Sequence, residues 1–166
     1  MKNPKFKEQQ FRDDGSTIKN LRSLSYLLDD AIAIPGTSYS IGIDPLLGLI
    51  PVGGDYLSAI FSAYIVIQSA RMGASRATVS RMVFNIIVDT LVGTVPMLGD
   101  LFDFAWKANN KNIELLESAL NAPEKTKKAD WLFLILLLGA LLLVVFLTAS
   151  LSIYILSFLF RAIAGI

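Results

Sequence analysis

The side chains able to do chemistry in this 166-residue chain are carboxylates, amides, hydroxyls and amines, because the sequence contains neither Cys nor His. That excludes thiol nucleophiles, disulfides, His-assisted serine hydrolysis and zinc or haem sites with their usual ligands. Among the carboxylates, Asp44, Asp55, Asp89 and Asp100 stand out, since a shift of 45 residues carries the first pair onto the second. Carboxylates converging near the ends of apolar helices could line an ion or proton route or hold a hard cation such as magnesium or calcium. Their spacing lacks the alternating carboxylates of an EF-hand loop, so no metal and no cofactor is expected.

The four aspartates belong to an internal repeat. Ile43–Asp55 reads IDPLLGLIPVGGD and Val88–Asp100 reads VDTLVGTVPMLGD. Between Asp44 and Asp55, six of twelve positions are identical to their counterparts without a gap: Asp44, Leu46, Gly48, Pro51, Gly54 and Asp55 against Asp89, Leu91, Gly93, Pro96, Gly99 and Asp100. Most of these residues have a purely structural reading. Asp44 before Pro45 resembles an N-cap followed by proline at the first helical position, and Asp55 and Asp100 each follow glycine and open an apolar stretch, as N-caps do. Gly48 and Gly93 would end helices, with Pro51 and Pro96 setting the following turns. Capping is the preferred reading, and it fits Asp89 least well, because that residue lies inside an apolar run with Asn85 and Arg81 as its nearest polar neighbours along the helix.

The apolar spacing of Ile18, Leu21, Leu24, Leu28 and Ile32 predicts an amphipathic helix over 17–32, stopped by Ile34-Pro35-Gly36. Thr37–Ile43 reads as a turn or a short extended piece. Further helices are expected over 56–70, 77–92 and 101–120. The first two of these are apolar nearly all round, and so are buried in protein or in lipid. The last carries a polar patch, Lys107, Asn109, Asn110, Lys111 and Asn112, in which Asp103 and Lys107 have the spacing of a solvated helix pair. Ser75, Arg76, Thr78, Ser80 and Arg81 open the helix at 77, either as a cap or as a contact with lipid phosphates.

Trp131 to Phe160 contains no Asp, Glu, Lys or Arg. Thirty such residues reach about 45 Å as a helix, against about 30 Å for a bilayer core, so one tilted pass is predicted. Lys125, Lys127 and Lys128 precede it and only Arg161 follows, which places the body on the cytoplasmic side of a bacterial inner membrane. Met1–Asn20 has no apolar core and is not read as a signal peptide. The chain thus divides into a polar tail at 1–16, a helical body at 17–121 with repeat units at 43–70 and 88–116, a basic linker at 122–130 and a transmembrane helix at 131–160.

The runs IPGTSYSIGIDPLLGLIPVGGD and RMVFNIIVDTLVGTVPMLGDLFDFAWKANNKNIELLE resemble a bacterial and fungal family, the domain-of-unknown-function family 4112. The shared features are the Ile-Pro-Gly-Thr turn at 34–37, both Pro-x-x-Gly-Asp turns, and Phe-Asp-x-x-x-Lys-Ala-Asn-x-x-Asn at 102–112. The resemblance covers about 24–116 and implies a small membrane-associated domain with no established activity. It supplies no catalytic residues.

The expected fold is all-α: a membrane-associated bundle with two related turn-helix units and one C-terminal transmembrane helix. A net charge of +1, with basic residues scattered, argues against nucleic-acid binding. The sequence also lacks the phosphate-binding loops and the nucleophile elbow of common enzymes. A non-enzymatic membrane scaffold is therefore expected, with the lipid bilayer, a second copy of the chain or an unidentified protein as partners. The alternative is an ion- or proton-handling protein using Asp44, Asp55, Asp89 and Asp100.

Overall fold

The computed structural model describes residues 4–43, 47, 54–93, 106–121 and 129–165. Among them are five helices and one two-stranded hairpin: α1 (Pro4–Asp30), β1 (Ile32–Ala33), β2 (Ser40–Ile41), α2 (Gly54–Arg71), α3 (Arg76–Gly93), α4 (Ala108–Asn121) and α5 (Trp131–Ala164). The fold is an all-α bundle with a long apolar C-terminal helix.

Helix α1 extends further toward the N-terminus than the apolar spacing predicts. The Ser16 and Thr17 hydroxyls bond back to the Asp13 carbonyl at 2.9 and 2.8 Å, as hydroxyls do inside a helix rather than at its cap. The helix ends at Asp30, two residues earlier than the periodicity suggests, because the chain turns into the hairpin. There Ile32 pairs with Ile41 and Ala33 with Ser40. Gly36 takes a φ of 81°, open to glycine at little cost. The returning strand then runs against the end of α1, and the Ile43 amide bonds the Leu27 carbonyl at 3.1 Å. Gly42 is required at this approach, since a Cβ there would lie 1.4 Å from the Leu28 carbonyl oxygen.

Helices α2 and α3 are joined by a tight reversal. The Gly73 and Ala74 amides bond the Ala70 and Ser69 carbonyls, each at 3.0 Å, with Gly73 at φ 97°. This is a Schellman closure. Ser75 then caps α3, its Oγ accepting from the Thr78 amide at 3.1 Å. The start of α5 is fastened beside this reversal. The Ala129 amide donates to the Ala74 carbonyl at 3.2 Å, Asp130 pairs with Arg76, and the same carboxylate caps α5 through the Phe133 amide at 2.9 Å.

The bundle has three layers. Helices α1 and α4 pack together on one side, α2 and α3 lie between, and α5 packs on α3 and α2 from the other side. Only part of the apolar surface of α2 and α3 is buried between the layers: Ile65, Val66, Val79, Met82, Val83 and Ile86 lie within the protein core, while Leu57, Ile60, Phe61 and Tyr64 of α2 and Phe84 and Leu91 of α3 are exposed. Leu21 and Leu28 of α1 and Leu116 of α4 close the core from one side. Leu134, Leu141, Val145 and Ala149 close it from the other, at the heptad-like spacing of a packed helix face.

The helix expected over 101–120 is described from Trp106, and its continuous part begins at Ala108. Lys107 takes a φ of 48°, a left-handed conformation that breaks helical continuity just before α4.

Candidate functional site

The end of α1 meets the start of α4, and this junction gathers the densest polar cluster among the described residues. It starts with Asp29, which sits on the same face of α1 as Leu21 and Ser25 and is only 8% exposed. Its two oxygens accept from the Asn109 side-chain amide and the Asn110 backbone amide, each at 2.8 Å. Asn109 is in turn oriented by Ser62 of α2, whose hydroxyl donates to its Oδ1 at 2.7 Å. The neighbouring Asp30 forms an ion pair with Lys107 and accepts from Ser40 and from the Asn110 side chain. Lys107 also reaches the Ser40 hydroxyl at 3.2 Å. The unusual backbone of Lys107 thus lies at the point where its ammonium is directed back toward α1 and the hairpin.

Electrostatics separate the two adjacent aspartates. Burial pushes the Asp29 carboxyl above its ordinary value, outweighing the bonds from Asn109 and Asn110. Burial acts the same way on Asp30, yet the Lys107, Ser40 and Asn110 donors overcome it and hold that carboxyl below the usual value.

A second polar pair lies one turn further along α4. Asn112, fully buried, accepts from the Asn85 amide at 2.9 Å and donates to the Met82 carbonyl at 3.2 Å. The Trp106 indole donates to the Asn85 carbonyl at 3.2 Å, and the Lys111 ammonium stands 3.2 Å from the centre of the Trp106 ring. Burial lowers the Lys111 pKa, opposed by Glu114 and Asp89. Beside Lys111 runs an open groove of about 390 Å³ whose lining includes Arg81, Phe84, Glu114 and Ser118.

The polar patch read from the sequence is present at Lys107 to Asn112. The expected pairing of Lys107 with Asp103 lies outside the described residues. Lys107 also reaches Asp30 at the end of α1, 77 positions earlier. Asp29 and Asp30 were not singled out by spacing, although one signal was present: Asp29 continues the Leu21 and Ser25 stripe, where a carboxylate needs a buried donor.

Of the repeated aspartates, Asp44 and Asp100 lie outside the described residues, as do Gly48, Pro51, Pro96 and Gly99. Gly54 and Asp55 occupy the first turn of α2, and Gly93 is the last residue of α3. Asp89 is half-buried on α3 and interacts electrostatically with Lys111. Arg81, two turns earlier on α3, lines the groove. Among the described residues no three Asp or Glu side chains gather as a metal site.

The junction is a lock between segments distant in sequence: α1, the hairpin, α2 and the α4 entry are joined by amide, carboxylate and ammonium groups that use one another as partners. All of its residues fall within one continuous stretch that ends before α5. Neither the curated proteins nor the solved structures contain a match to this chain. That stretch does match at the level of a family: over residues 17–120 the chain belongs to the family described as a domain of unknown function (DUF4112).

Proposed function

We propose that the protein is a non-enzymatic membrane scaffold, held by α5 with its helical body on the cytoplasmic side of a bacterial inner membrane, and that the body offers its surface to a protein partner or to a second copy. The observation that carries this reading is the saturation of the α1/α4 junction. Both oxygens of Asp29 and the ammonium of Lys107 serve groups of the same chain. Such a network rigidifies a body and fixes its helix register. Membrane attachment is supported by α5, whose apolar length exceeds that needed to cross a bilayer.

One observation favours a second reading, ion or proton handling. Lys111, which lines an open groove, lies within the electrostatic influence of Asp89 on the adjoining helix. Purified protein in sealed vesicles, assayed for proton and cation flux and for phospholipid hydrolysis, separates the readings. The scaffold predicts no flux or hydrolysis above protein-free vesicles. A flux present in the native chain and abolished in a folded Asp89→Asn variant would replace it with the second reading.

A further inference from the structure

Helix α5 is too closely joined to the body for the two to be placed independently. Its buried residues, Leu134, Leu141, Val145 and Ala149, commit one side of its first half to α3 and α2. Beyond Ala149 no described residue of α5 is buried. The free part, 150–164, is about 22 Å of helix at 1.5 Å per residue, shorter than the ~30 Å hydrocarbon core. A membrane pass must therefore include turns that are packed on the body, and the body must accompany them to the bilayer.

The direction in which it does so follows from the contacts. Arg76 and Trp131 mark one end of the bundle, where α3 and α5 begin and α2 ends; Arg71 lies over the Trp131 ring there, 5.8 Å from its centre. The opposite end holds the Asp29/Asn109 and Asp30/Lys107 contacts, the hairpin, the start of α2 and the end of α3. It is from this opposite end that α5 projects.

Among the described residues the exposed cations of the body lie toward one end of this axis: Lys19, Arg22, Arg71 and Arg76 are at the Arg76 end, beside the exposed Trp131 and Leu132. Around the other end the exposed large side chains among the described residues include Tyr26 and Ile32 beside the end of α1, Tyr39 on the hairpin, Leu57 and Phe61 on α2, and Leu91 on α3. Of the charged groups at that end, Asp29 is buried and bonded by the Asn109 and Asn110 amides, and the half-buried Asp30 and Lys107 are paired with each other. Exposed apolar groups ringing the exit of an apolar helix, with charge turned inward, form a surface suited to lipid.

Resting on the reading of α5 as a membrane helix, we propose that the hairpin end of the bundle and the outward face of α2 dock into the leaflet that α5 enters, with the α1/α4 layer facing water. The occupant is lipid: acyl chains against Leu57 and Phe61, headgroups around Tyr39 and Ile32. A tilted α5 satisfies this arrangement. Its outward side, with Leu136, Leu143 and Phe146 exposed, meets lipid along its length while the body shields the other side.

The absence of cysteine makes the test direct. The full chain is spin-labelled at Leu57→Cys, Tyr39→Cys, Lys19→Cys, Ser118→Cys and Leu156→Cys in turn and reconstituted in phosphatidylethanolamine–phosphatidylglycerol vesicles. Collision with oxygen, which concentrates in lipid, is compared with collision with a water-soluble nickel chelate. The oxygen-to-nickel ratio at 57 should exceed that at 19 and 118 several-fold and approach that at 156, with 39 between. If Leu57→Cys does not fold, Ile60→Cys takes its place on the same face. Lipid exposure at 156 with water exposure at 57 and 39 would overturn docking and leave the anchor standing. Water exposure at 156 would remove the anchor, and docking with it. Lipid exposure at 19 or 118 would mean a wholly submerged body. A label at 57 shielded from both reagents and broadened by a neighbouring label would assign the face to a second copy instead.

Discussion

Two adjacent aspartates at the end of one helix respond to pH in opposite senses, because only one of them gains a cation. Asp30 has its carboxyl held below the ordinary 3.8, so its contribution to stability is complete above that value and is lost as pH falls through the lowered one. Asp29 is raised, so its share is present below 3.8 and declines as pH rises through its raised value. Replacing Asp30 with Asn should cost about 1.5–3 kcal/mol at neutral pH, the range for hydrogen bonds to charged groups. The denaturation midpoints of variant and native protein should then converge as the medium is acidified. A gap that widened toward acid would show that the Lys107 pair is not the source. Gly42 makes a sharper demand. With backbone atoms of Leu28 and Asp29 in the space of a Cβ, Gly42→Ala should destabilise by about 1–3 kcal/mol through overpacking. An alanine variant with an unchanged midpoint in denaturant would mean that the strand can move off α1.

At the scale of elements, α5 is two things in one helix. Its inward stripe is core and its outward side is apolar and exposed, which is why composition alone shows only a uniform hydrophobic run. Adjacent leucines separate the roles: Leu141 is 1% exposed, Leu142 is 59% exposed. Leu141→Ala should cost about 2–5 kcal/mol, as expected for a buried leucine. Leu142→Ala in detergent should change the unfolding midpoint little. Equal losses at both positions would place a further protein surface on the outward side. A similar division holds in α2, where Ile65 and Val66 are core while Leu57, Ile60, Phe61 and Tyr64 are exposed.

The largest scale is that of topology. The lysines that precede Trp131 outnumber the single Arg161 that follows the apolar run, and positive charge is retained on the cytoplasmic side. A reporter that is active only outside the cytoplasm, fused after Ile166, should therefore be active, and the same reporter fused before Met1 should not be. Activity at both ends, or at neither, would be incompatible with a single pass. Among the described residues, the exposed cations Lys19, Arg22, Arg71 and Arg76 of the body lie toward the end at which α5 begins.

Helices, their apolar faces and the long C-terminal segment could be read from the chain alone, because each is written in a local period of three or four residues or in an unbroken apolar run. The Lys-Ala-Asn-Asn-Lys-Asn run was also visible as a polar patch on a helix. What only the tertiary structure decided was its partner. Asp29 and Asp30 lie far from Lys107 and Asn109 along the chain, and no periodicity within one element encodes the register between two. The left-handed backbone at Lys107, the close approach of Gly42 to α1 and the packing of α5 on α3 are of the same kind. Each depends on where distant segments meet. A buried carboxylate needs a donor, and which donor reaches it is settled only when the helices pack.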